Sequence, residues 1–114
     1  GETRAGPALH LRARGVEADG VETPQGFEVR SGSRAAKSEV PSCHAYIVEL
    51  RVALIKNGVL RPEGDAYVFS QNYLFSSPST AAGVVLGRSS NGRVEWKAAD
   101  GRTLKEIQDA EVAG

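Results

Sequence analysis

Ser77-Pro78-Ser79-Thr80-Ala81-Ala82-Gly83-Val84-Val85-Leu86-Gly87, followed by Arg88-Ser89-Ser90-Asn91-Gly92-Arg93-Val94-Glu95-Trp96-Lys97, is the stretch on which the reading of this chain turns. Ser77 can accept a hydrogen bond from a free amide of a first helical turn, and Pro78 stands where a missing N–H costs nothing. Gly87 reads as a left-handed stop. The spacing therefore predicts a helix from Pro78 to Leu86, a tight turn at Asn91-Gly92, and a strand around Arg93 to Lys97. Past the glycine stop, Arg88, Ser89, Asn91, Arg93, Trp96 and Lys97 make a polar, partly basic ridge. Two arginines around a turn can fork onto phosphates, and serine and asparagine can reach sugar or base edges. Ser76, Ser77 and Ser79 add hydroxyls at a helix N-terminus, where anions are readily held. Each feature also has an ordinary reading: a hairpin turn, solvated arginines, a core tryptophan and serine caps.

Working outward, Leu9, Leu11 and Ala13 alternate with His10, Arg12 and Arg14, and Val16 to Val21 resumes an extended pattern after Gly15. Thr23-Pro24-Gln25-Gly26 is a turn, after which Phe27 and Val29 alternate again. These segments predict a three-stranded antiparallel meander. Arg30 to Glu39 reads as a loop with a short basic run at Arg34-Ala35-Ala36-Lys37. Pro41 and Ser42 introduce the clearest helix. Cys43, Tyr46, Ile47, Leu50 and Leu54 recur there at helical spacing, while Glu49, Arg51 and Lys56 are expected in water. Val48, Val52 and Ile55 widen the apolar stripe, which predicts that this helix packs between two halves of the domain. Beyond Gly58, Val59-Leu60 and Tyr67 with Phe69 read as a hairpin around Pro62-Glu63-Gly64-Asp65. Thr103 and Glu106 spell a capping box for a short final helix, Leu104 to Asp109.

The class is α+β: one small domain of antiparallel strands, an N-terminal meander plus later hairpins, packed with two main helices and a short C-terminal one. Gly1 to Ala8 are expected to be a flexible linker or residues left by cloning, and 9–114 the folded domain. At 114 residues the chain can bury roughly two-thirds of its unfolded surface without a staple. One cysteine and two histidines rule out an internal disulfide and leave no ligand set for structural zinc, so neither metal nor cofactor is expected. The cysteine usage and the lack of an apolar run or signal segment point to a cytoplasmic, reducing compartment. Fourteen basic residues balance fourteen acidic ones, so any nucleic-acid attraction must be local. Between Leu86 and Glu106, five basic residues (Arg88, Arg93, Lys97, Arg102, Lys105) face three acidic ones (Glu95, Asp100, Glu106).

Catalytic chemistry finds little to work with. Cys43 lies on an apolar helical face and reads as a small core residue, and His44 beside it points about 100° away on a helix. Glu63 and Asp65 flank a turn glycine, and Gly83 and Gly87 lack the lysine of a phosphate loop.

Ser77-Pro78-Ser79-Thr80-Ala81-Ala82, Leu86-Gly87-Arg88-Ser89-Ser90-Asn91-Gly92, Glu95-Trp96-Lys97 and Asp100-Gly101-Arg102-Thr103-Leu104 together resemble an uncharacterised domain family found C-terminal to GIY-YIG nuclease domains. Gly20-Val21, Thr23-Pro24, Gly26-Phe27, Gly32-Ser33-Arg34-Ala35, Gly58-Val59-Leu60 and Tyr73-Leu74-Phe75 extend the likeness from about Leu9 to Glu111. The second half is also similar to the restriction enzyme and adenine methylase associated (RAMA) domain, although Arg93 stands where that domain often has tryptophan. The resemblance implies a noncatalytic accessory domain that binds DNA, with Arg88, Arg93 and Lys97 on the backbone and Ser89, Asn91 and Trp96 towards sugar or base. The nuclease elements themselves cannot be placed on this chain. The alternative is a protein-interaction module docking a neighbouring catalytic domain.

Overall fold

The computed structural model describes residues 6–13 and 15–113. Among the described residues, seven strands and four helices follow one another: β1 (Leu9–Ala13), β2 (Val16–Thr23), β3 (Gly26–Val29), β4 (Arg34–Ala36), α1 (Ala45–Lys56), β5 (Leu60–Glu63), β6 (Ala66–Phe69), β7 (Tyr73–Phe75), α2 (Pro78–Leu86), α3 (Gly92–Glu95) and α4 (Leu104–Ala113). All strand pairs are antiparallel, in two sheets ordered β1-β2-β3-β7 and β4-β6-β5. The domain is thus α+β.

The first sheet contains the expected meander. Leu9 and Leu11 are buried while His10 and Arg12 face outward, the alternation that a half-buried strand requires. Arg14 and residues 1–5 of the expected linker lie outside the described residues; Gly6 already donates its N–H to the Glu22 carbonyl at 2.9 Å. The β5–β6 hairpin also forms as read, with Leu60 opposite Phe69. The segment from Arg30 to Glu39 is a correction, because it contains β4, paired through Arg34 to Val68. Three residues are too few to show a period, and the buried hydroxyl of Ser33, which accepts the Asp19 N–H at 3.0 Å, fixes the approach to that strand.

At the centre lies α2, whose residues Ala81 to Leu86 are all buried and which packs on both sheets and on α1. Its ends match the sequence reading. The Ser77 hydroxyl accepts the Thr80 N–H at 3.1 Å, and Gly87 adopts φ 70°. A side chain at Gly87 would suffer both that left-handed geometry and a collision with the Ser38 carbonyl at 2.5 Å.

Three expectations fail for physical reasons. Helix α1 begins at Ala45, so Cys43 precedes it, half-buried against the core. Arg51 does not leave for water. It is 0% exposed, its Nε donates to Glu39 Oε2 at 2.6 Å, and its two terminal nitrogens donate to the carbonyls of Val84 and Ala36. A dry seam where α1, α2 and β4 meet leaves carbonyls in need of donors, and one guanidinium supplies several. Finally, the strand expected around Arg93 to Lys97 is the short helix α3, and only Lys97 pairs in β fashion, with His10 and Thr103. Asn91 accepts the Arg93 N–H at 3.0 Å as a helix cap, so Asn91-Gly92 is not a hairpin turn. The capping box of α4 forms, with Thr103 N–H to Glu106 Oε1 at 2.9 Å and Glu106 N–H to Thr103 Oγ1 at 3.1 Å, and the helix runs on to Ala113.

Candidate functional site

Of the expected ridge, Trp96 is buried and Arg93 half-buried, while Arg88, Ser89, Asn91 and Lys97 remain exposed. Trp96 is 0% exposed, its ring centroid 4.6 Å from that of Phe27, and its indole N–H donates to the Pro78 carbonyl at 3.0 Å. No face remains on which a base could stack. The Ser79 hydroxyl accepts the Gly92 N–H at 2.9 Å, and Gly92 lies so close to the Pro78 backbone that a Cβ there would overlap it. Ser77-Pro78-Ser79 and Asn91-Gly92-Trp96 therefore hold each other: one hydroxyl caps α2, one carbonyl takes the indole and one hydroxyl takes the start of α3. The Ser89 hydroxyl accepts the His44 N–H at 2.9 Å, tying the segment after α2 to the residue before α1, whose own side chain caps nothing. Arg93 donates to Gln108 at 2.7 Å and lies 3.4 Å from Asp109, tying α3 to α4. Arg88 is half exposed, 3.7 Å from Glu95.

Lys97 differs from Arg88 and Arg93 in having no ion pair among the described residues, and it is exposed. Its β-bridge to His10 places it beside the outer face of β1, where it joins His10, Arg12, Glu95, Ala98, Ala99 and Gly101 around a cleft of about 380 Å³. Sequence reading missed His10 and Arg12 as neighbours of Lys97, because the contact joins chain segments more than eighty residues apart. The basic side chains beside Lys97 have acidic neighbours: His10 Nδ1 lies 2.6 Å from Asp19, and Arg12 3.0 Å from Glu17. Neutralisation at this range removes most of the attraction for a distant phosphate.

The other open feature is apolar. Ile47, Arg51 and Leu54 fill the inner face of α1, against α2 and β5. Tyr46 and Val52, placed on the buried stripe by their spacing, are instead 55% and 56% exposed. The expectation that α1 packs between two halves of the domain fails: its inner face packs on α2 and β5, and it shows Ala45, Tyr46, Glu49, Val52, Ala53 and Lys56 to solvent. The signal for this face was the stripe too wide for one contact.

Among the described residues no three His, Cys, Asp or Glu side chains gather as a metal would need, and no helix is long and apolar enough to cross a membrane. The displaced pKa values have structural causes. Burial, then the charge of Glu39, pushes the Cys43 thiol up. The N–H and guanidinium of Arg102 hold Asp100 low, Thr103 holds Glu106 low, and Lys105 holds Asp109 low. None of these groups lines the cleft.

A two-sheet α+β domain closed on a buried helix, with its polar motif turned inward as a clasp, is the class of protein that fold and surface define. The chain belongs to the family described as domain of unknown function (DUF4357), whose model matches residues 9–108. No curated protein and no solved structure matches it.

Proposed function

We propose that this is a noncatalytic protein-interaction module whose working surface is the outer face of α1. The observation that carries this reading is the pair Tyr46 and Val52, each more than half exposed on a helix whose remaining large apolar residues are covered. Exposed apolar side chains gathered on one helix face, with Glu49 and Lys56 between them, differ from singly scattered surface hydrophobics. The structural use of Ser77, Ser79, Asn91 and Trp96 supports it from the other side, since each has an oxygen or the indole N–H engaged with the backbone, and the indole is buried. The resemblance to domains beside GIY-YIG nucleases and to RAMA domains supports reading such a module as an accessory piece of a nuclease-like or restriction-modification-like protein.

The test is a photo-crosslinking side chain at Tyr46, compared with one at the exposed Gln71, in the protein expressed in its native host. Protein adducts mapped to position 46 and absent at 71 are expected. No excess at 46 overturns the reading.

DNA binding is the second reading, favoured by one observation: Lys97, His10 and Arg12 converge on the same cleft. Labelled duplexes, methylated and unmethylated, titrated at two salt concentrations, decide it. Salt-dependent affinity lost in Lys97→Ala supports the cleft as a phosphate contact, and absence of binding at low salt removes it.

A further inference from the structure

The outer face of α1 carries only two charges, Glu49 and Lys56, and neither has an ion-pair partner among the described residues. They stand seven residues apart, which is close to two full turns, so both lie on the centre line of the exposed face. Ala45, Tyr46, Val52 and Ala53 flank that line. The arrangement is its own complement when reversed. If a second α1 is laid antiparallel, with the two-fold axis between Val52 and Ala53, Glu49 of each copy meets Lys56 of the other. The small side chains of Val52 and Ala53 then face each other at the axis, where the helices must approach most closely.

We infer that the occupant of the α1 face is a second copy of this domain, joined in an antiparallel two-fold pair by reciprocal Glu49–Lys56 contacts around Val52 and Ala53. This inference rests on the reading of α1 as the docking face and names its partner. A foreign helix could cover the same apolar strip, but nothing would require it to repeat this charge spacing in reverse, whereas a second copy does so by symmetry. Size sets the strength. Twelve residues make a helix about 18 Å long, and one face of it covers less than the roughly 800 Å² per partner of a standard stable interface, so the pair is of the reversible, concentration-dependent kind.

The experiment is sedimentation velocity on the purified domain from micromolar to millimolar concentration, with Glu49→Lys, Lys56→Glu and the double reversal. The unaltered domain should sediment faster as concentration rises. Each single reversal sets like charges opposite each other twice and should weaken association about tenfold or more. An equimolar mixture of the two single variants restores both contacts and should associate at least as well as the unaltered domain, as should the double reversal on its own. Because both side chains are exposed, thermal melts of the variants should match the parent, and recovery in the mixture shows that each variant is folded. A domain that stays monomeric at millimolar concentration overturns the inference, as does association indifferent to the reversals or a mixture that fails to recover. Those results leave crosslinking at Tyr46 to decide docking on its own, and an adduct there of unequal partners would point to another occupant.

Discussion

The clasp between the start of α2 and the segment 91–96 is polar in sequence and turned inward, whereas α1 is apolar in sequence and turned partly outward. In the clasp, each hydroxyl, amide and indole N–H has a backbone group to satisfy, because the helix ends and the buried Gly92 leave N–H groups without partners. In α1, the backbone is satisfied by the helix itself, so its side chains are free to be wherever packing puts them. Polarity alone does not say which way a residue points. The question that separates the two regions is which main-chain groups lack partners.

The sharpest way to break this comparison is to empty the clasp. Trp96→Ala removes a fully buried ring that packs on Phe27 and should cost about 3–5 kcal/mol of unfolding free energy. Trp96→Phe keeps most of the volume and loses the bond to Pro78, for about 1 kcal/mol in addition to any repacking cost. Urea unfolding followed by circular dichroism measures both. If Trp96→Ala were nearly neutral, the ring would have to be free for a ligand and the ridge reading would return. Arg51 tests the boundary between the regions on the same scale. Arg51→Ala leaves Glu39 and the carbonyls of Val84 and Ala36 without their donor, a loss of about 3–5 kcal/mol.

A smaller effect separates serines that look alike. Ser79→Ala strips the buried Gly92 N–H of its acceptor and should cost about 1–3 kcal/mol. Ser76 is exposed, and Ser76→Ala should fall within about 0.5 kcal/mol. Equal effects from the two would mean that the Ser-Pro-Ser motif is surface chemistry after all.

These serines also show what could be read in advance. Ser77, Pro78, Gly87, Thr103 and Glu106 were legible because caps are local: donor and acceptor sit within one turn of each other in the sequence. The meander and the β5–β6 hairpin were legible from alternation and turn residues for the same reason. Ser79 to Gly92, Ser89 to His44 and Arg51 to Glu39 span 13, 45 and 12 residues, and no periodicity marks them. Trp96 was left open between core and surface, and only its distance to Phe27 decides it. Asn91-Gly92 misled because the same pair starts a hairpin when strands flank it and caps a helix when the following N–H groups are free. The wide stripe of α1 misled in another way: spacing predicts cover on both sides, whereas Tyr46 and Val52 stay in solvent and Arg51 is the residue that is buried.

On the apolar side of the comparison, Tyr46→Ser with Val52→Ser should leave stability within about 0.5 kcal/mol per site while abolishing the concentration dependence of sedimentation. A large drop in stability would place these side chains in the core, and the contrast with the clasp would fail.

The smallest effect lies in the capping box, and its sign follows from the pKa. Glu106 is held below its usual value of 4.5, chiefly because its carboxylate accepts the Thr103 N–H. A carboxyl lowered on folding contributes stability above the unfolded pKa and loses it as pH falls through the folded one. Asp109, held low by Lys105 from its usual 3.8, acts in the same sense at lower pH. The parent domain should therefore lose thermal stability as pH drops from about 5 to below 4, and Glu106→Gln should melt lower at neutral pH but with a shallower acid limb. An acid limb unchanged by that substitution would mean that the end of α4 contributes nothing to the cooperative unit. In that case Arg93, which reaches α4 through Gln108 and Asp109, would be a cation tethered to a frayed segment and not a strut of the clasp.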